Sequence, residues 1–257
     1  MNKYSRASKE VFDLLVEEAQ RPFLGWDFSY IKDRIVSAPL MWSYTIEILP
    51  VLRQVNSLLD MGTGGGEFLS MLQPFPEKTC ATESYGPNVP IAKKRLEPLG
   101  VEVAQISGDE NLPFEDGIFD LIINRHESYS PSEVYRILSE DGIFLTQQVG
   151  AHNDDGLREF FLNDKVSDYS EWTADFAADQ LENNGFKILK KKECFPKNRF
   201  FDVGAVVFYL LAAPWEVPGF TVEKYRDKLF EFHSIISDKG YIDYVSHRFL
   251  IKSSKET

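Results

Sequence analysis

From residue 51 onward, short apolar runs of strand length alternate with stretches whose apolar positions recur at helical spacing. That alternation predicts a sheet of parallel strands covered by helices on both faces. The strands are expected at 57–61, 79–83, 101–106, 119–124 and 143–149, with helices starting near Gly66, Pro87 and Ser130. A helix at 171–184, closed by Gly185 as a left-handed cap, leads into a strand at 186–193. The longest apolar stretch, 203–213, reads as one more buried strand. Because it follows another strand with no helix between them, it predicts an antiparallel hairpin at the end of the sheet. The expected fold is α/β: a Rossmann-like, doubly wound sheet of seven strands, mostly parallel, with an antiparallel last strand.

The flanks differ in texture. The first 50 residues read as mostly helical and carry Phe23, Trp26, Phe28, Tyr30, Trp42 and Tyr44, which suits either a lid over a ligand or a plain cover for one end of the sheet. The C-terminal piece predicts a helix at 221–237 and a strand at 245–252. No glycine- or serine-rich linker divides the chain, so the expected organisation is a helical aromatic-rich cap at 1–50, one core at 51–213 and an extension at 214–257.

Composition narrows the partners. A hydrophobic content of 43% with 14% aromatics suffices for a sizeable core. No apolar run reaches the roughly 20 residues needed to cross a bilayer. The start of the chain has charge in place of an apolar signal core, so a cytoplasmic location is expected. Cys80 and Cys194 stand alone, and His152, His233 and His247 are scattered, so neither a disulfide framework nor a metal site is expected. A net charge of −12 disfavours a nucleic-acid footprint, which draws on many Lys and Arg contacts to phosphate. The run Lys190-Lys191-Lys192 reads as a solvated strand edge.

Candidate chemistry begins after the first predicted sheet strand. In Asp60-Met61-Gly62-Thr63-Gly64-Gly65-Gly66 the glycines allow a tight turn and close approach of the backbone to a ligand, and the helix that follows offers free N–H groups. Dinucleotide oxidoreductases use a similar turn, so the turn alone does not decide the ligand. Glu83, at the end of the second strand, adds a carboxylate that can accept both hydroxyl hydrogens of a ribose.

A third element follows: Gly108-Asp109-Glu110-Asn111-Leu112-Pro113-Phe114, and then Phe119-Asp120-Leu121-Ile122-Ile123-Asn124. Taken together, the Asp-x-Gly-x-Gly-x-Gly turn, the acidic end of strand two, the Asp-x-x-Leu-Pro-Phe loop and the Phe-Asp-Leu-Ile-Ile strand resemble class I S-adenosylmethionine-dependent methyltransferases of the ubiquinone-biosynthesis-like type. The resemblance covers roughly 51–150. It implies S-adenosyl-L-methionine as cofactor, with S-adenosyl-L-homocysteine as product. It also implies that Asp60 and the turn residues Gly62, Thr63, Gly64 and Gly66 lie near the methionine part, Glu83 and the neighbouring Ser84 on the ribose side, and Asp109 on the adenine amino group. Glu110 is implied to offer a backbone N–H to adenine, with Asn124 and Arg125 at the cofactor-facing end of strand four. The paired glycines usual before strand five are here Glu140-Asp141-Gly142, a departure that touches a turn and not the cofactor site.

Methyl transfer asks little of a protein beyond positioning, because the sulfonium is already an activated electrophile. An acceptor that must lose a proton needs a base just beyond strand four, where the sequence gives Arg125-His126-Glu127-Ser128-Tyr129. His126 is the candidate base by its titration range, or else a strand cap. Trp26, Trp42, Tyr44, Glu127, Tyr129, Gln147 and Gln148 are candidate substrate contacts. A small-molecule acceptor is expected, met by a monomer or homodimer. The competing readings are an NAD(P)-dependent oxidoreductase and a cofactor-binding regulator without catalysis.

Overall fold

A computed structural model describes residues 3–23, 28–163 and 170–255; Trp26 lies outside them. The strands, in chain order, are β1 (Ile35–Ser37), β2 (Ser57–Met61), β3 (Lys78–Glu83), β4 (Glu102–Gln105), β5 (Phe119–Arg125), β6 (Leu138–Val149), β7 (Phe186–Cys194), β8 (Lys197–Phe200), β9 (Ile242–Val245) and β10 (Arg248–Lys255). The helices are α1 (Lys3–Ala19), α2 (Tyr44–Leu52), α3 (Glu67–Ser70), α4 (Val89–Leu96), α5 (Pro131–Ile137), α6 (Asp155–Leu162), α7 (Ala174–Glu182), α8 (Val203–Ala212) and α9 (Arg226–Lys239).

Seven strands form one sheet in the order β4-β3-β2-β5-β6-β10-β7. β2 pairs in parallel with β3 and β5, and β5 with β6, while β10 runs antiparallel to both β6 and β7. All five residues of β2 are buried, as expected for a parallel strand covered on both faces. On one face Leu59, Met61, Ile122 and Phe144 cluster with Val134 and Ile137 of α5 and Ala177 and Leu181 of α7. On the other, Leu58, Leu121, Ile123 and Leu145 cluster with Ile48 and Leu52 of α2 and Ala92 and Leu96 of α4. Successive strand residues thus feed opposite cores.

The antiparallel last strand is present, but other residues build it. The run 203–213, expected as a strand, is the helix α8: Asp202 caps its N-terminus by accepting from the Ala205 N–H at 2.9 Å. Val203–Phe208, Leu210 and Ala212 are buried, and a helix apolar all round has no periodicity that sets it apart from a buried strand. The antiparallel member is β10, reached only after α9 and starting three residues later than expected. The first 50 residues are helical in α1 and α2, with the strand β1 between them. β1 joins β8 and β9 in a small antiparallel sheet that the sequence pattern did not suggest.

The chain forms two compact units that cut across the expected consecutive segments. One comprises 40–151, 171–194 and 248–257 and holds the seven-stranded sheet. The other comprises 1–39, 152–170 and 195–247; its core gathers Phe12, Phe161, Phe200 and Phe232 around the apolar α8.

Candidate functional site

β2 delivers the chain to its glycine turn at the C-terminal edge of the sheet. Gly62, Gly64 and Gly66 take φ of +69°, +63° and +79°, a left-handed region costly for other residues. At Gly62 a Cβ would lie 2.4 Å from the Glu127 Cγ, so the absent side chain makes room for Glu127. The turn is tied to β3: Thr63 N–H donates to the Thr82 carbonyl at 2.9 Å and Gly64 N–H to Glu83 Oε2 at 2.6 Å. The other Glu83 oxygen accepts from the Tyr85 N–H at 2.7 Å. Glu83 is 3% exposed, and each oxygen keeps a lone pair beyond the one its backbone donor uses. Around Gly64 there is open space where a side chain would otherwise stand. On the far side of the turn, Arg95 of α4 donates to the Gly65 carbonyl and pairs with Glu67.

The site is acidic. Burial raises the Asp60 carboxyl to about 7, against the lowering influence of the nearby Thr63 and the charge of Arg125, while Glu83 adds to the rise. Burial also raises Glu127, and the charges of Glu83 and Asp109 push the same way. Asp60, Glu83, Asp109 and Glu127 therefore share one electrostatic neighbourhood. Ser84 and Glu110 are exposed beside it.

Several expected contact residues serve as framework. Asn124 is fully buried: its Oδ1 accepts from Gln148 Nε2 at 2.6 Å and Thr146 Oγ1 at 3.0 Å, and its Nδ2 donates to the Ser128 carbonyl. Gln148 is spent on that amide and on the Glu127 carbonyl. Tyr44 donates from its hydroxyl to the Asn124 carbonyl at 3.0 Å, and its ring belongs to the core. Trp42 donates to Gln147 Oε1 at 2.8 Å. These two aromatics thus fit the plain cover reading, joining the start of α2 and the residues just before it to the ends of β5 and β6. Tyr129 is buried against Phe144, its ring 4.9 Å away, and its hydroxyl has no partner among the described residues.

His126, the candidate base, takes φ +62° immediately after β5, and its N–H donates to the Gln147 carbonyl at 2.8 Å. Its Nε2 lies 3.2 Å from Gln147 Nε2. Surrounding protein, then the charges of Arg248 and Arg125, push the imidazole down to about 3. The residue keeps much of its surface open to water, which screens part of this push. The direction still leaves a weakly basic ring with one nitrogen occupied, a poor arrangement for a base at neutral pH.

Two residues that sequence reasoning passed over hold the loop after β4. Glu133 Oε1 accepts from the Leu112 N–H at 2.6 Å, and Arg136, paired with Glu133, donates to the Phe114 carbonyl at 2.8 Å and the Leu112 carbonyl at 3.2 Å. Their spacing of three on α5 was the available signal. Among the described residues no group of three or more His, Cys, Asp or Glu side chains is placed to hold a metal ion.

Residues 59–146, from β2 to within β6, match the family described as methyltransferase domain. The chain is 31% identical over 147 residues to the uncharacterized methyltransferase YcgJ of Bacillus subtilis (strain 168), an alignment covering 50% of this chain and 58% of that relative. The chain thus spans less than two thirds of that relative's length. Among solved structures, a putative methyltransferase (BH2331) from Bacillus halodurans C-125 superposes with a TM-score of 0.60 at 21% identity, covering 83% of this chain and 97% of the other. Geranyl diphosphate methyltransferase in complex with SAM superposes with a TM-score of 0.50 at 15% identity, covering 82% and 84%. The chain shares its fold with these solved structures, and Glu83 and the glycine turn lie at the C-terminal edge of the sheet, where open α/β sheets take ligands.

Proposed function

We propose that this protein is an S-adenosylmethionine-dependent methyltransferase acting on a small-molecule acceptor. The observation that carries the reading is the Glu83 carboxylate, buried, fixed by two backbone N–H groups and facing the left-handed glycine turn with lone pairs to spare. The residues present fit the cofactor. Glu83 would accept from the ribose hydroxyls, Asp109 from the adenine amine, and Asp60 with the turn backbone would face the methionine part. A cofactor bearing a sulfonium and an ammonium suits a cluster of four carboxylates, and it supplies a methyl group already activated for transfer. The chain's own contribution is to bind, orient and exclude water.

An NAD(P)-dependent oxidoreductase would bring a pyrophosphate into this acidic neighbourhood, which opposes it electrostatically. The small-molecule acceptor is favoured by the charge of −12, which opposes RNA. No helix among the described residues is long and apolar enough to cross a membrane; action in the cytoplasm, as monomer or homodimer, belongs to the proposal. Calorimetry decides the donor: binding of S-adenosylhomocysteine with no response to NADH is expected, and the reverse would sink the reading. A metabolite screen for S-adenosylhomocysteine production then separates an enzyme from a regulator.

A further inference from the structure

The indole of Trp42 can only donate, so its 2.8 Å contact fixes which end of the Gln147 amide is oxygen. The NH₂ end therefore faces His126, 3.2 Å from Nε2. An amide NH₂ also only donates, so Nε2 of His126 accepts and the ring proton sits on Nδ1. Among the described residues the ring makes no other hydrogen bond, and His126 is solvent-exposed at the C-terminal edge of the sheet. The charged groups facing the ring are Arg125, from its own segment, and Arg248, from β10. Strand register explains the grouping: Arg125 pairs with Gln147, and Arg248 with Val149, two residues further along β6. A positive corner thus stands beside an acidic cofactor cluster in a chain of net charge −12. The left-handed backbone of His126 is the kind of strain found where a side chain is held for use.

We propose that Trp42 and Gln147 lock His126 as a neutral, Nδ1-protonated hydrogen-bond donor, and that this donor, flanked by Arg125 and Arg248, receives a carboxylate of the methyl acceptor. Trp42 and Gln147 are positioning residues here. His126 holds the acceptor without taking a proton from it, so the nucleophile is one that needs no base at this position. The carboxylate assignment rests on the methyltransferase reading above; the lock does not.

The test is nitrogen NMR of the full chain labelled with ¹⁵N-histidine, the His126 signals being those missing from His126→Asn. The expected spectrum has an unprotonated Nε2 and a protonated Nδ1, with no titration between about pH 5.5 and 8, the range in which a free imidazole titrates. Gln147→Glu offers the ring a carboxylate in place of the NH₂ and is expected to move the proton to Nε2 and restore titration. Trp42→Phe frees the amide to turn and is expected to give mixed tautomers. A wild-type His126 that titrates near its ordinary value or carries its proton on Nε2 overturns the lock. With S-adenosylhomocysteine present, benzoate is expected to shift the Nδ1 signal saturably in the wild type but not in Arg248→Gln, and tetramethylammonium is expected to leave it in place. No benzoate response, or an equal response to the cation, overturns the carboxylate assignment. A locked tautomer in a protein that fails to bind S-adenosylhomocysteine counts against the methyltransferase reading and not against the lock.

Discussion

Glu83 accepts the Gly64 N–H at 2.6 Å, so one carboxylate both shapes the glycine turn and faces the space that turn encloses. Its other oxygen is tied to the Tyr85 N–H. Glu83→Gln keeps the size but gives one of the two backbone donors an NH₂ to face. The expected result is a loss of about 1–3 kcal/mol in stability, from one poorly satisfied N–H. Affinity for S-adenosylhomocysteine should fall roughly 10- to 100-fold, equivalent to about 1.4–2.8 kcal/mol. Calorimetry at a temperature where the variant is fully folded separates the two effects.

Gly62 meets two constraints at once, a φ of +69° and the Glu127 side chain lying where its Cβ would be. Gly62→Ala should cost about 1–2 kcal/mol for the left-handed backbone, with a collision energy on top. In a Glu127→Gly background, which removes both the Cγ and the Cβ that the new methyl would meet, only the collision is relieved, so the penalty should shrink without vanishing. Denaturant unfolding of the four proteins of this cycle measures the coupling. Equal penalties in both backgrounds would show that Glu127 does not press on the turn.

The parallel half of the sheet was legible because each of its strands is a short apolar run bounded by turn residues, and β2 starts and stops where the pattern places it. The run 203–213 reads as a strand because a helix apolar on every side shows no polar stripe, although Asp202 is a visible N-cap signal. The small sheet of β1, β8 and β9 consists of strands of three or four residues drawn from distant parts of the chain, below the length at which alternation can be seen. At the site, Asp60, the glycines and Glu83 were readable as a spacing motif. That Trp42, Tyr44, Asn124, Gln147 and Gln148 bond to one another was not, because hydrogen bonds between the ends of β5 and β6 leave no periodic trace. The Glu133–Arg136 pair under the loop after β4 escaped for the same reason.

Asp60 gives a pH prediction whose sign is definite. Its folded carboxyl is raised from 3.8 to about 7, mainly by burial. The folded state therefore holds a proton that the unfolded state has released between those values, and this group's contribution to stability declines as pH rises through that window. Asp60→Asn has no proton to lose. The melting temperature of Asp60→Asn relative to wild type should climb from about pH 5 to 7 and level off above. An ammonium near Asp60 favours the ionised carboxylate, so S-adenosylhomocysteine, which keeps the amino-acid ammonium but not the sulfonium, should be bound with proton release near pH 6, seen as a dependence of the calorimetric heat on the buffer's ionisation enthalpy. A flat stability difference across this range would place the Asp60 titration elsewhere.

The second unit holds a buried polar network that can be dissected alone. Tyr209 of α8 donates its hydroxyl to Asp154 Oδ2, which also accepts from Asn153 Nδ2 at 2.9 Å, and Asn153 in turn donates to Glu216. Asp154 is 1% exposed and takes φ +56°, while burial followed by the charge of Asp154 raises Tyr209 well above the ordinary tyrosine range. The phenol thus stays protonated and serves as a donor to the carboxylate. Tyr209→Phe removes that donor while leaving the ring in place, so the loss is electrostatic and not a cavity. A cost of about 1.5–3 kcal/mol is expected, the range for hydrogen bonds to buried charged groups. Adding Asp154→Asn to Tyr209→Phe should cost less than the sum of the single changes by roughly 1 kcal/mol, because the amide does not need the phenol as the carboxylate does. Strict additivity in denaturant unfolding would mean that the hydroxyl and the carboxylate do not support each other, and that Asp154 is held in its left-handed conformation by its other partners.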